Sequence, residues 1–280
     1  MAEAIKILTL IDIVFVTLLA MSGSVSGTAF ELVYSCAIYI IPLLVGYYAS
    51  LRLKAKREAE AGVAEKFPSL FTLDTGRIKT FLPLVAPLVA VVFSVSLLTS
   101  LLLLAFGVST PGVEDRNVFV MLIDHALTPA IFEEIVFRYL PLILIAPYSK
   151  RVCVFYSAFC FALIHCSFLQ MPYAFVAGVV FMALDIALGS IWPSVILHFI
   201  NNAASVIWMK YCDTLTASLI FVGVMLVLAT LSAYIIYRKR REYSELLRVA
   251  TAKGESAEYG YPALILVTLC GYIAVSNLFV

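Results

Sequence analysis

The chain has 280 residues, of which 63% are apolar and only 13% charged, with a mean hydropathy of +1.03 and a formal net charge of +1. A soluble domain carries about 25% charged residues to coat its surface, so a water-facing globule is excluded and the bilayer is the solvent. A net charge so near zero also excludes a bulk electrostatic pull toward nucleic acid.

Apolar runs long enough to cross about 30 Å of hydrocarbon occur near 7–22, 29–49, 81–107, 118–146, 152–169, 172–190, 192–210, 215–237 and 261–280. They predict an all-α, polytopic transmembrane helical bundle of about eight to nine spans, forming one membrane domain over residues 1–280. The first run follows Lys6 as in a signal peptide, but Asp12 stands in its middle, so it reads as a spanning helix. With the N-terminus in the cytoplasm and the spans alternating, Lys6, the 50–80 loop, Lys150, Arg151 and the 238–260 loop fall inside and the C-terminus outside. The inner segments then hold 16 Lys and Arg, the outer loops only Arg116 and Lys210, and Arg138 is intramembrane. That asymmetry is the positive-inside pattern. The inner segments LRLKAKREAEAGVAEK and YRKRREYSELLR carry charge of both signs and read as solvated helix extensions held at anionic headgroups. The six cysteines show no CxxC spacing and read as packed thiols.

An ionisable group at mid-bilayer is costly and needs a reason. Span four contains Asp124, His125, Glu133, Glu134 and Arg138, span five His165, span six Asp185, and span seven His198, Asn201 and Asn202. In PAIFEEIVFRYLP, Arg138 follows Glu134 by four residues, so the two pair on one helix face while Glu133, about 100° away, points elsewhere. Pro129 and Pro141 flank the motif and free the carbonyls of His125 and Phe137, a geometry a membrane tolerates only where a cavity or a neighbouring helix satisfies it. In FALIHCSFLQ, Phe161 and His165 share a face at i and i+4, and in GSIWPSVILHFINN so do His198 and Asn202. Counting rise from the inner ends places Glu133 and His165 at matching heights, about 20 Å up. His198 and Asn202 come out lower, at about 9 and 15 Å, unless a re-entrant turn over Gly189 to Pro193 starts span seven inside the membrane.

The elements EEIVFR, FALIH and HFINN, in this order on separate spans, resemble the EExxxR, FxxxH and HxxxN motifs of the CPBP family. These are intramembrane proteases that include the type II CAAX prenyl endopeptidases. The resemblance covers roughly residues 118–210, which it implies are the catalytic core. It implies hydrolysis of peptide bonds in a membrane-associated substrate by an activated water, a prenylated CAAX-type C-terminus being the reference substrate of one branch. Carried over by position, Glu133 and His165 bind and activate the water, His198 and Asn202 stabilise the oxyanion, and Glu134 and Arg138 hold the site beside Phe161. The residues agree with this: an unpaired carboxyl suits a general base, and side-chain donors facing a dry cavity suit an oxyanion hole.

A metal-free mechanism with no cofactor is favoured. The alternative is a Zn²⁺ site of Glu133, His165 and His198 with an open fourth position, although no HExxH lies on one helix. Two other classes compete. A proton-coupled transporter would use Glu133, Asp124, Asp185 and the histidines as a relay, but no inverted repeat is visible and the polar groups cluster on spans four to seven. A catalytically silent scaffold or immunity protein would keep the fold, against which stand the intact Glu133, His165, His198 and Asn202. The implied partners are the lipid bilayer and a membrane-associated peptide or protein, with no nucleic acid.

Overall fold

A backbone in lipid must satisfy its own polar groups, and the described apolar runs of this chain do so as helices. The computed structural model describes residues 1–21, 28–62, 94, 117–168, 170–211, 215–250, 267, 270 and 273, and none of these lies in a β-strand. In chain order the helices are α1 (Ala2–Met21), α2 (Thr28–Ala61), α3 (118–144), α4 (Lys150–Leu163), α5 (Met171–Leu188), α6 (Trp192–Tyr211), α7 (Leu215–Arg238) and α8 (Arg240–Ala250). Among the described residues three stretches are long and apolar enough to cross a membrane: Ala2–Met21, Met171–Leu188 and Leu219–Arg238. The protein is therefore an all-helical, multi-pass membrane protein, and the expected eight to nine spans are not reached by this measure. The expected span at 81–107 and most of that at 261–280 lie outside the described residues.

α3 carries both prolines without breaking. It widens into π turns at Ile123–Leu127 and Ile135–Tyr139, each just before a proline, where Thr128 N–H reaches the carbonyl of Ile123 and Leu140 N–H that of Ile135. A wider turn accommodates a residue that has no N–H to give. The Phe137 carbonyl freed by Pro141 accepts the buried Ser157 hydroxyl from α4, so a neighbouring helix supplies the missing partner.

α4 corrects the sequence reading. It ends at Leu163 rather than near residue 169, and the chain turns through Cys166 with φ of 46°, in the left-handed region. His165 thus lies in the turn after the helix and not on a helical face with Phe161. α4 lies close against α5 at Gly178, where a Cβ would stand 2.7 Å from the Ala158 Cα. Small residues let helix backbones approach this way where no hydrophobic drive exists between apolar surfaces.

A buried polar lock fixes α1 to α4. Tyr156 Oη donates to Asp12 Oδ2 at 3.0 Å and lies 3.0 Å from the Thr9 hydroxyl, which accounts for the carboxyl in the middle of α1. At one end of the bundle Lys56 Nζ donates to Glu3 Oε2 at 2.6 Å, and the Arg57 guanidinium lies 5.8 Å from the Tyr148 ring centroid and 3.4 Å from the Ile143 carbonyl. The start of α1, the charged end of α2 and the turn after α3 therefore share that end. α8 is more than a solvated extension, because its Tyr243 packs in a buried cluster with Phe181, Leu184 and Leu197.

Candidate active site

Three helices meet around His198. α5 closes on Gly189, whose φ of 65° takes the left-handed conformation a glycine adopts freely, and α6 begins three residues later at Trp192. Pro193 stands in the first turn of α6, where a missing N–H leaves no bond unmade. This tight turn aims α6 along α3, so that His198 Nδ1 lies 2.7 Å from Glu134 Oε1. A carboxylate only accepts, so Nδ1 carries the proton and Nε2 is the free edge of the ring. That edge lies 3.9 Å from Glu133 Oε2.

Glu134 and Arg138 form the expected pair, with Nε 3.2 Å from Oε2 and both side chains fully buried. The contact is an ion pair without hydrogen-bond alignment, since Glu134 Oε2 and all three guanidinium nitrogens lack an aligned partner. Aromatic rings supply what hydrogen bonds do not. The guanidinium lies 4.2 Å from the Phe161 centroid and 5.7 Å from that of Phe181, an arrangement worth about 2 kcal/mol or more when water is excluded.

Phe161 joins the parts. Its ring meets His165 edge-on at 5.0 Å and His198 edge-on at 5.5 Å. His165 Nδ1 lies 2.7 Å from the Phe161 carbonyl, which can only accept, so His165 presents Nε2 as a lone-pair acceptor. The Tyr173 ring flanks it at 6.4 Å. Asn202 follows His198 by one turn and is half-buried, but its Oδ1 accepts from Asn201 Nδ2 at 3.2 Å. Among the described residues no hydrogen bond joins it to Glu133, Glu134, His165 or His198.

The site is layered. Glu134, Arg138 and His198 are buried as a base, while Glu133, His165 and Asn202 are partly exposed in front of it. Such an arrangement can hold a water or a carbonyl against the exposed groups and fix an imidazole ring from behind. Among the described residues no group of three His, Cys, Asp or Glu side chains is arranged to hold a metal ion.

Asp185 and Ser194 are part of this base and were not singled out for the site from the sequence. Asp185 is fully buried in the last turn of α5, where a carboxylate opposes the helix dipole, yet its Oδ1 accepts the Ser194 N–H at 3.2 Å across the Gly189 turn. It thus caps the start of α6, the helix that carries His198. The signal was present as an intramembrane acid just ahead of GSIWPS. Asp185→Ala is expected to lower stability by about 0.5–2 kcal/mol, the usual range for a lost cap. Asp185→Asn, which keeps an acceptor, recovers most of the loss when thermal unfolding is compared in detergent.

Residues 115–204 match the family model described as Rce1-like, Type II CAAX prenyl endopeptidase. The matched stretch contains EEIVFR, FALIH and HFINN, so the chain carries an Rce1-like segment, in agreement with the resemblance of its motifs, and the family is one of membrane endopeptidases. No curated protein and no solved structure matches the chain.

Proposed function

We propose that the Rce1-like segment hydrolyses a peptide bond of a membrane-associated substrate with water activated by Glu133 and His165. The N-terminus and the charged end of α2 would then lie on the cytoplasmic side. The observation that carries this reading is the juncture of Glu134, His198 and Glu133, with contacts of 2.7 and 3.9 Å. It brings the first and third motifs to one imidazole whose outer nitrogen faces Glu133.

The chemistry follows from the donors. His165 Nε2 accepts one hydrogen of a water and Glu133 removes the other as the water oxygen bonds to the carbonyl carbon. The carbonyl oxygen becomes an oxyanion. His198 Nε2–H and the Asn202 amide donate to it, which requires His198 to be the imidazolium, because Nδ1 already donates to Glu134. The Glu134 carboxylate behind the ring holds Nδ1–H and so keeps Nε2 aimed at the oxyanion. When the C–N bond breaks, Glu133 returns its proton to the leaving amine, and an acid and an amine leave.

No step requires a metal. Cleavage of a membrane-anchored peptide by the purified chain is expected to survive exhaustive chelation, with no zinc by elemental analysis. Activity lost on chelation and regained on adding Zn²⁺ would transfer water activation to a metal held by Glu133, His165 and His198.

A further inference from the structure

α1 and α2 run antiparallel, tied at one end by Glu3 and Lys56, and a cavity of about 550 Å³ lies along their seam. Its walls are apolar, with Leu10 and Val14 from α1 and Pro42 and Val45 from α2, and its polar end is formed by Glu3, Arg52 and Lys56. It includes none of the residues of the candidate active site.

Three features of the seam define an occupant. From Glu3 to Val14 the α1 wall rises about 16 Å at 1.5 Å per residue, close to half of the about 30 Å hydrocarbon core and so the depth of one leaflet. Leu10, Val14 and Val45 are 52%, 41% and 50% exposed, so none of the described residues fills the seam. The polar end is lined by two cations and one carboxylate, and the N-terminal ammonium and Glu60 beside the Glu3–Lys56 pair add one charge of each sign, so one positive charge is left. Arg52 rests over the Tyr48 ring at 5.0 Å and, among the described residues, its guanidinium fork makes no hydrogen bond. A guanidinium fork matches the oxygens of a phosphodiester.

From these features we infer that the α1–α2 seam is a binding site for one anionic phospholipid, with an acyl chain along Leu10, Val14 and Val45 and the phosphodiester at Arg52 and Lys56. A zwitterionic lipid would bring an added cation to an end that is already positive. The inference does not depend on the proposed peptidase activity.

The test uses the full chain in nanodiscs of equal phosphatidylglycerol and phosphatidylcholine, then extraction into detergent and native mass spectrometry of the retained lipid. One phosphatidylglycerol per chain is expected, retained over phosphatidylcholine by about fivefold or more, the factor that one Lys or Arg gives at an anionic surface. Arg52→Gln, which leaves the Glu3–Lys56 pair intact, is expected to lower that retention about fivefold with unchanged thermal unfolding. Val45→Trp, which fills the apolar wall, is expected to expel the lipid with both cations in place. Equal retention of the two lipids, or retention unmoved in Arg52→Gln, would overturn the inference. So would loss in Arg52→Gln but not in Val45→Trp, which would mean surface charge without a groove. Displacement of the lipid by an isoprenylated peptide that binds independently of Arg52 would assign the seam to another occupant.

Discussion

Glu133→Gln is expected to fold as the parent does and to lose about 10² to 10⁴ in turnover, the range attributed to general base catalysis. The change is nearly isosteric and removes only the capacity to take up a proton. Its structural cost is small because Glu133 is outside the buried pair: its side chain keeps 15% exposure and lies 3.9 Å from His198 Nε2. Rates at saturating peptide, measured beside thermal unfolding of the same preparations, separate a chemical loss from a folding loss. A Glu133→Gln variant that cleaves at near the parent rate would remove Glu133 from the mechanism.

The opposite pattern is expected one residue along. Glu134 accepts from His198 and forms an ion pair with Arg138 from a fully buried position, so Glu134→Ala strands a guanidinium enclosed by Phe161 and Phe181 as well as the inner edge of the imidazole. Breaking a buried ion pair by removing one partner costs about 3–5 kcal/mol. Arg138→Ala is expected to fall in the same range, since it strands the Glu134 carboxylate and empties the space between the two rings. The double variant is expected to lose less than the sum, with a coupling of about 0.5–3 kcal/mol. Thermal unfolding of the four proteins in one detergent measures it. Parent-like stability in both single variants would show that the pair does not hold the site.

Much of the helical order was legible because in lipid the apolar run itself sets the element. The runs at 172–190, 192–210 and 215–237 became Met171–Leu188, Trp192–Tyr211 and Leu215–Arg238. The end of α4 was not legible, since apolar residues continue past Leu163 and the turn is made at Cys166, with neither glycine nor proline to mark it. The run of charges from Arg238 to Arg241 gave no sign that Tyr243 packs against Phe181 and Leu184 of α5. For the site, spacing alone gave the Glu134–Arg138 pair. The contact of His198 with Glu134 contradicts the lower height read from rise, because that count started α6 at the membrane surface. The Asp185 cap was out of reach for a different reason. It depends on how two helices meet across a turn, and one-dimensional spacing along either helix does not contain that. The likeness of the three motifs located residues that the structure then gathers, apart from Asn202, which it leaves bonded to Asn201.

The central claim is that this chain is a water-activating membrane peptidase, and its most direct test is mass analysis of a membrane-anchored peptide incubated with the purified, reconstituted protein. The expected result is two new fragments whose masses sum to the peptide plus one water, formed by the parent and absent with Glu133→Gln. An intact peptide, together with a proton flux across the same liposomes that Glu133→Gln abolishes, would contradict it and assign the buried carboxyls to transport.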